Sequence, residues 1–175
     1  MSNSEQMKGE LSELDVGCGE RTDLPVRLDV NRTKATNIQA DAHHLPFRSE
    51  VFSHVRMLEV LEHLASPFTS LLECHRVLKV GGVLTLQVPN PYYIGKLGRL
   101  LINGGEKLLS RERNHKQAWD QVTLRCLLNQ AGFSQTSVEY TNYYGTRRRV
   151  LYLLPKIFGR THLRVLAEKR VAEPQ

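Results

Sequence analysis

Three aspartates stand at or near the ends of three short apolar runs: Asp15 in 12–16, Asp29 closing 26–29, and Asp41 after 38–40. A carboxylate has two oxygens and accepts hydrogen bonds from paired hydroxyl or amino groups. Between the first two lies Gly17-Cys18-Gly19. Neither glycine has a Cβ, so a turn there brings bare backbone up to a ligand. Further on, Glu59 and His63 are four residues apart and share a helical face. His63 has the chemistry of a general base, and His115, before Trp119, is a second such candidate. Glu59, Glu62 and His63 lack the spacing of a metal motif, so no metal is expected.

These groups need a scaffold that ends strands side by side. In open α/β sheets, ligands bind at the carboxyl ends of the strands, near the point where strand order reverses. The chain reads as short strands at 12–16, 26–30, 38–40, 51–57, 83–88, 133–140 and 161–168. Only nine residues separate Gly19 from Asp29, whereas a crossover normally takes about a dozen or more. The first strands are therefore expected to have lost their helices. Ser66-Pro67 signals a helix start, a hydroxyl at the cap and proline in the first turn. Gly81-Gly82 is expected to end that helix. A helix over 92–110 follows the strand break at Pro89-Asn90-Pro91, and another is capped by Asp120 with Gly132 beyond its end. Residues 1–10 read as a flexible tail, and 11–170 as a single domain.

At 175 residues the chain can bury a real core. No apolar run approaches the ~20 residues of a membrane span, and no signal-peptide h-region is visible. Cys18, Cys74 and Cys126 show no Cys-x-x-Cys spacing, which argues against a disulfide framework or a zinc site and fits a cytoplasmic location. The net charge of +6 permits an acidic partner without requiring one. Its clearest concentration is Arg147, Arg148, Arg149, Lys156 and Arg160 among leucines, a stretch (147–160) that could lie on an anionic membrane. It lacks the stacking aromatics of an RNA-binding module, so no nucleic-acid partner is expected.

In order and spacing, several motifs together resemble the class I S-adenosylmethionine (SAM)-dependent methyltransferases, in a compact, type 11-like subgroup. They are Leu-Asp-Val-Gly-Cys-Gly at 14–19, the acid Asp29, Asp41-Ala42 ahead of Leu45-Pro46-Phe47, Glu-Val-Leu-Glu-His-Leu at 59–64, and Glu73-x-x-Arg76-Val77-Leu78-Lys79-x-Gly81-Gly82. Leu127-Leu128-x-x-Ala131-Gly132-Phe133 also fits. The resemblance implies a Rossmann-like three-layer α/β sandwich on a mostly parallel seven-stranded sheet. It implies SAM as cofactor and S-adenosylhomocysteine as product. Asp15 would help hold the SAM ammonium, and the Gly17, Cys18 and Gly19 backbone would approach the methionine end. Asp29, with Val30 beside it, would take the ribose hydroxyls. Asp41 and Ala42 would meet the adenine, with His43 flanking it, and Met57 and Leu58 would line the site.

Glu20-Arg21 stands where Thr-Gly is usual, Ser53 where an aspartate is common, and Val80 where a proline is common. The helices that lid the cofactor in relatives are not expected ahead of the first strand. The expected reaction is methyl transfer to an oxygen or nitrogen of a small-molecule, glycan or lipid-linked acceptor, by a monomer or homodimer. A non-catalytic SAM-binding module and an RNA methyltransferase remain the alternatives.

Overall fold

A computed structural model of the chain describes residues 12–94, 115–141 and 160–170. The strands are β1 (Glu13–Val16), β2 (Val26–Asp29), β3 (Ile38–Gln39), β4 (Phe52–Leu58), β5 (Leu78–Pro89), β6 (Phe133–Thr141) and β7 (His162–Lys169). Two α-helices accompany them, α1 (Pro67–Val77) and α2 (Gln121–Gln130), with a 3-10 turn at Leu61–His63. All seven strands form one sheet in the order β3-β2-β1-β4-β5-β7-β6. The first five run parallel, and β7 is antiparallel to both β5 and β6. This is the Rossmann-like, mostly parallel seven-stranded architecture the sequence implies.

The order reverses at β1, whose neighbours are β2 and β4. Leu14, Val16, Val55 and Met57 are fully buried there, so the switch point is anchored in the core. No helix joins β1 to β2 or β2 to β3 among the described residues. Polar side chains do the positioning instead. The Arg27 guanidinium donates to the carbonyls of Leu24 and Ala35, at 2.7 Å each. Asn37 accepts from the Arg27 N–H and donates to the Pro25 carbonyl. The Thr33 hydroxyl reaches across to the Gly19 carbonyl at 2.5 Å. Loop backbone that a helix would satisfy is thus bonded by neighbouring side chains.

α1 starts at Pro67 after Ser66 as expected, but two local details differ. The Ser66 hydroxyl pairs with the Thr69 hydroxyl at 2.7 Å rather than capping backbone. Gly81-Gly82 does not end the helix: α1 stops at Val77, and Leu78 is already extended. The glycines instead sit inside β5, where the pairing to β4 shifts between Phe52 and His54. Gly82 is required there because a Cβ would come within 2.8 Å of the Lys79 carbonyl. The helix expected over 92–110 falls, from 95 onward, outside the described residues, as does nearly all of the basic stretch 147–160. Among the described residues, no helix is long and apolar enough to cross a membrane.

α2 starts where the sequence places it. The Asp120 carboxylate accepts from the N–H groups of Val122 and Thr123, and Thr123 accepts from the Asp120 N–H. This reciprocal cap starts the helix whose Leu124 and Leu128 are buried in the core. Asp120→Ala is expected to cost about 1 kcal/mol of stability, read as a shifted urea midpoint with an unchanged slope.

Candidate functional site

The carboxyl ends of β1, β2, β3 and β4 open onto a cleft of about 700 Å³. That falls within the range of about 300–1,000 Å³ typical of small-molecule sites. Its walls include Gly17, Gly19, Asp29, Val30, Asp41, Ala42, His43 and Leu58 among the residues anticipated above. Asp15, Cys18 and Met57 do not line it.

Asp29, only 9% exposed, is fixed by backbone. One carboxylate oxygen accepts from the Gly19 N–H and the other from the Asn31 N–H, both at 2.9 Å. Each oxygen keeps acceptor capacity for a ligand hydroxyl. Gly17 and Gly19 have φ of +68° and +56°, the left-handed region that suits glycine. A Cβ on Gly19 would meet nothing within 4 Å, so the backbone there faces open space. A Cβ on Gly17 would strike Val60 at 2.3 Å. The first glycine therefore lets the β4 end close over the turn, and the second leaves room at the cleft.

Asp41 and His43 form a unit. The His43 Nε2 accepts from the Ser66 N–H at 3.2 Å. Its Nδ1 therefore carries the proton and donates to Asp41 at 2.6 Å. The His43 backbone N–H, with help from its ring, holds the Asp41 carboxyl below the usual carboxylate range. Ala42 and Val30 bring apolar surface to the same end, and Val30 is 62% exposed. The loop carrying these residues is pinned from α1. Glu73 accepts from the Leu45 N–H, and Arg76 donates to the carbonyls of Leu45 and Phe47 while bonding Glu73. The Arg76 guanidinium keeps the Glu73 carboxyl low.

Asp15 is held by two arginines. It is fully buried, and Arg21 grips both its oxygens at 2.9 and 3.0 Å. Arg56 adds a bond at 2.8 Å and holds Asp23 as well. Arg21 also donates to the Gly17 carbonyl at 2.6 Å and itself lines the cleft. Arg21 thus ties Asp15 to the cleft wall, at a position where the related motifs usually have glycine. Burial raises the Cys18 thiol, whose sulfur lies against Thr36 and the Gly19 carbonyl. Cys18 enters the turn through its backbone, its N–H bonding the Leu28 carbonyl. Met57 is buried beside Val16 in the core.

Past β4 the cleft gains a wall of Glu59, Val60, His63, Leu64, Ala65 and Lys116. Glu59 has φ +57°, a strained setting for a residue with a Cβ. Its carboxylate lies 3.1 Å from His162 Nε2 and accepts from Gln87. The His63 and His115 rings meet edge to face, 4.8 Å between centroids. The two proposed bases are thus brought together from positions 52 apart, and His115 opens onto an adjoining cavity of about 290 Å³ with Glu62, Lys116 and Trp119. Local periodicity gives no sign of Lys116 in this wall, because the 115–120 segment is irregular loop.

Comparison with known proteins points the same way. Residues 25–86 match a methyltransferase domain family. The ubiquinone/menaquinone biosynthesis C-methyltransferase UbiE of Proteus mirabilis is 27% identical over 123 residues, 62% of this chain and 48% of that protein. This chain thus spans about half the length of the curated relatives it matches. Among solved structures, a SAM-dependent methyltransferase from Thermotoga maritima, described as a possible histamine N-methyltransferase, superposes with TM-score 0.66 at 19% identity, covering 90% of this chain and 81% of that one. A putative methyltransferase of Haloferax volcanii, solved with the activator Trm112, also gives 0.66, at 15% identity over 98% of this chain and 90% of that one.

Proposed function

We propose that this chain, a class I SAM-dependent methyltransferase by sequence family and fold, transfers the methyl group of SAM to an oxygen or nitrogen of a small-molecule, glycan or lipid-linked acceptor. The observation that carries the reading is the convergence of Gly19, Asp29 and Asp41 on one cleft at the switch point of a parallel sheet. Asp29 would take the ribose hydroxyls on its remaining acceptor sites. Asp41, its other oxygen turned from His43, would take the adenine amino group, with Val30 and Ala42 against the ring. Arg21 and Lys116 also line the cleft and would suit the methionine carboxylate.

When bound, SAM supplies an electrophilic methyl on a sulfonium and leaves as S-adenosylhomocysteine. The chain's own task is to align an acceptor atom with that methyl, keep water out and remove the acceptor's proton. His63 sits in the cleft wall, with His115 against it. Imidazoles there favour an acceptor that must lose a proton, such as a hydroxyl. A second reading, methylation at carbon, is favoured by the names of the curated relatives.

The test incubates the full chain with methyl-labelled SAM and cell extract separated into small-molecule, glycan, lipid and RNA fractions. Label in one of the first three, lost in Asp29→Ala, supports the proposal. Label only in RNA, or on carbon alone, overturns the preferred acceptor, and no label in any fraction favours a binding module.

A further inference from the structure

We propose that Glu62, His63 and His115 form a site for one divalent transition-metal ion of the zinc class, set in the wall between the cofactor cleft and its neighbouring cavity. One carboxylate oxygen and one ring nitrogen from each histidine lie within 4.8 Å of one another. The separation from His63 Nε2 to Glu62 Oε1 is 3.9 Å, long for a hydrogen bond but suited to two ligands of a shared ion. Tetrahedral metal bonds of about 2.0–2.2 Å place ligand atoms about 3.3–3.6 Å apart. Closing the cluster onto an ion therefore needs the widest pair, at most 4.8 Å apart, to approach by about 1.2–1.5 Å, which rotation of three side chains can supply.

The backbone keeps these groups together. Glu62 and His63 share the 3-10 turn after β4, and the Lys116 N–H donates to the Glu62 carbonyl at 2.7 Å, tying the loop that carries His115 to the residue that carries the carboxylate. The Glu62 side chain is 1% exposed. Two imidazoles and one carboxylate select zinc-like ions over magnesium or calcium, which prefer all-oxygen shells. Three protein ligands with a position left for a further group is the pattern of a reactive zinc rather than a structural one. Glu59, three residues before Glu62, adds negative charge to the same wall while held by His162 and Gln87.

The role assigned to the ion rests on the methyl-transfer reading, though its binding does not. The open position would take an acceptor hydroxyl oxygen and lower its pKa, so that its proton leaves to solvent. The oxygen's electron pair then forms the new bond to the methyl carbon, and the carbon–sulfur pair stays on sulfur. His63 and His115 are then ligands instead of bases.

The experiment titrates the chelator-treated full chain with Co²⁺, reading visible absorption and competition by Zn²⁺. One saturable Co²⁺ per chain is expected, displaced by Zn²⁺. Glu62→Gln, His63→Ala and His115→Ala should each weaken binding about a hundredfold or more, since losing even an outer-shell partner costs about 10–100-fold. His44→Ala, at an exposed histidine elsewhere, should change nothing. Absence of saturable binding, or binding that survives His115→Ala unchanged, overturns the site. Should Glu62→Gln fail to fold, the loop variant His115→Ala decides, its fold checked by SAM calorimetry. A chain that binds Co²⁺ but not SAM would sink the proposed function and leave the metal site standing, and the opposite pair would do the reverse.

Discussion

Asp29→Ala is expected to weaken SAM binding by at least two orders of magnitude in calorimetry while leaving the chain folded. Two effects add. The carboxylate would accept from both ribose hydroxyls, and hydrogen bonds to a charged group contribute about 1.5–3 kcal/mol each. The same oxygens hold the N–H groups of Gly19 and Asn31, so alanine also loosens the turn that faces the ligand. A hundredfold loss corresponds to about 2.7 kcal/mol, which the ribose contacts alone can supply. Asp29→Asn separates the two effects. Its single carbonyl oxygen can keep one turn bond but cannot serve both N–H groups and both hydroxyls, so an intermediate affinity is expected. The fold should survive because Asp29 ends a strand whose packing rests on Val26 and Leu28. Unchanged affinity in Asp29→Ala would remove the ribose from this position, and with it the placement of the adenine on Asp41 and Ala42.

The cleft-facing acids were legible because their chemistry is local. Asp29 and Asp41 each follow a short apolar run, and a parallel strand delivers its last residue to the ligand edge whatever the details of its loops. The missing early helices were legible by arithmetic, since nine residues cannot hold a helix and a strand. The partners of Asp15 were not legible, for a reason that also lies in physics. Its position in the strand was right, but a buried carboxylate takes the strongest donors in reach, and Arg21 and Arg56 come from a turn and a neighbouring strand that no spacing rule links to it. The glycines at 81–82 were read as a helix stop because glycine usually ends helices, whereas here the close carbonyl of Lys79 demands one inside a strand. Least legible was the meeting of His115 with Glu62 and His63. It depends on an irregular loop tied by a backbone bond from Lys116 to Glu62, and periodicity carries no information about such a contact.

Gly17→Ala is the substitution expected to injure both fold and site, and its cost divides into two measurable parts. The φ of +68° costs any residue with a Cβ about 1–2 kcal/mol. The new methyl would also lie 2.3 Å from a Val60 methyl, closer than Cβ contacts occur. Val60 cannot swing away freely, because a β-branched side chain has few χ1 wells and it packs against the core. Overpacking of this kind costs about 1–3 kcal/mol, so a total near 3 kcal/mol is expected from urea unfolding. Val60→Ala alone destabilises modestly by leaving a small void. In the double variant, alanine at 60 admits the methyl at 17 and only the backbone term remains. The two substitutions should therefore be less damaging together than their sum, by roughly 1–2 kcal/mol, within the range for residues in contact. SAM affinity should follow the same pattern, falling in Gly17→Ala as the wall bearing Glu59 and His63 is pushed outward and recovering in part when Val60 is shortened. Strict additivity of the two stabilities would mean that the turn and the β4 end do not bear on each other, and that Gly17 is needed for its backbone conformation alone.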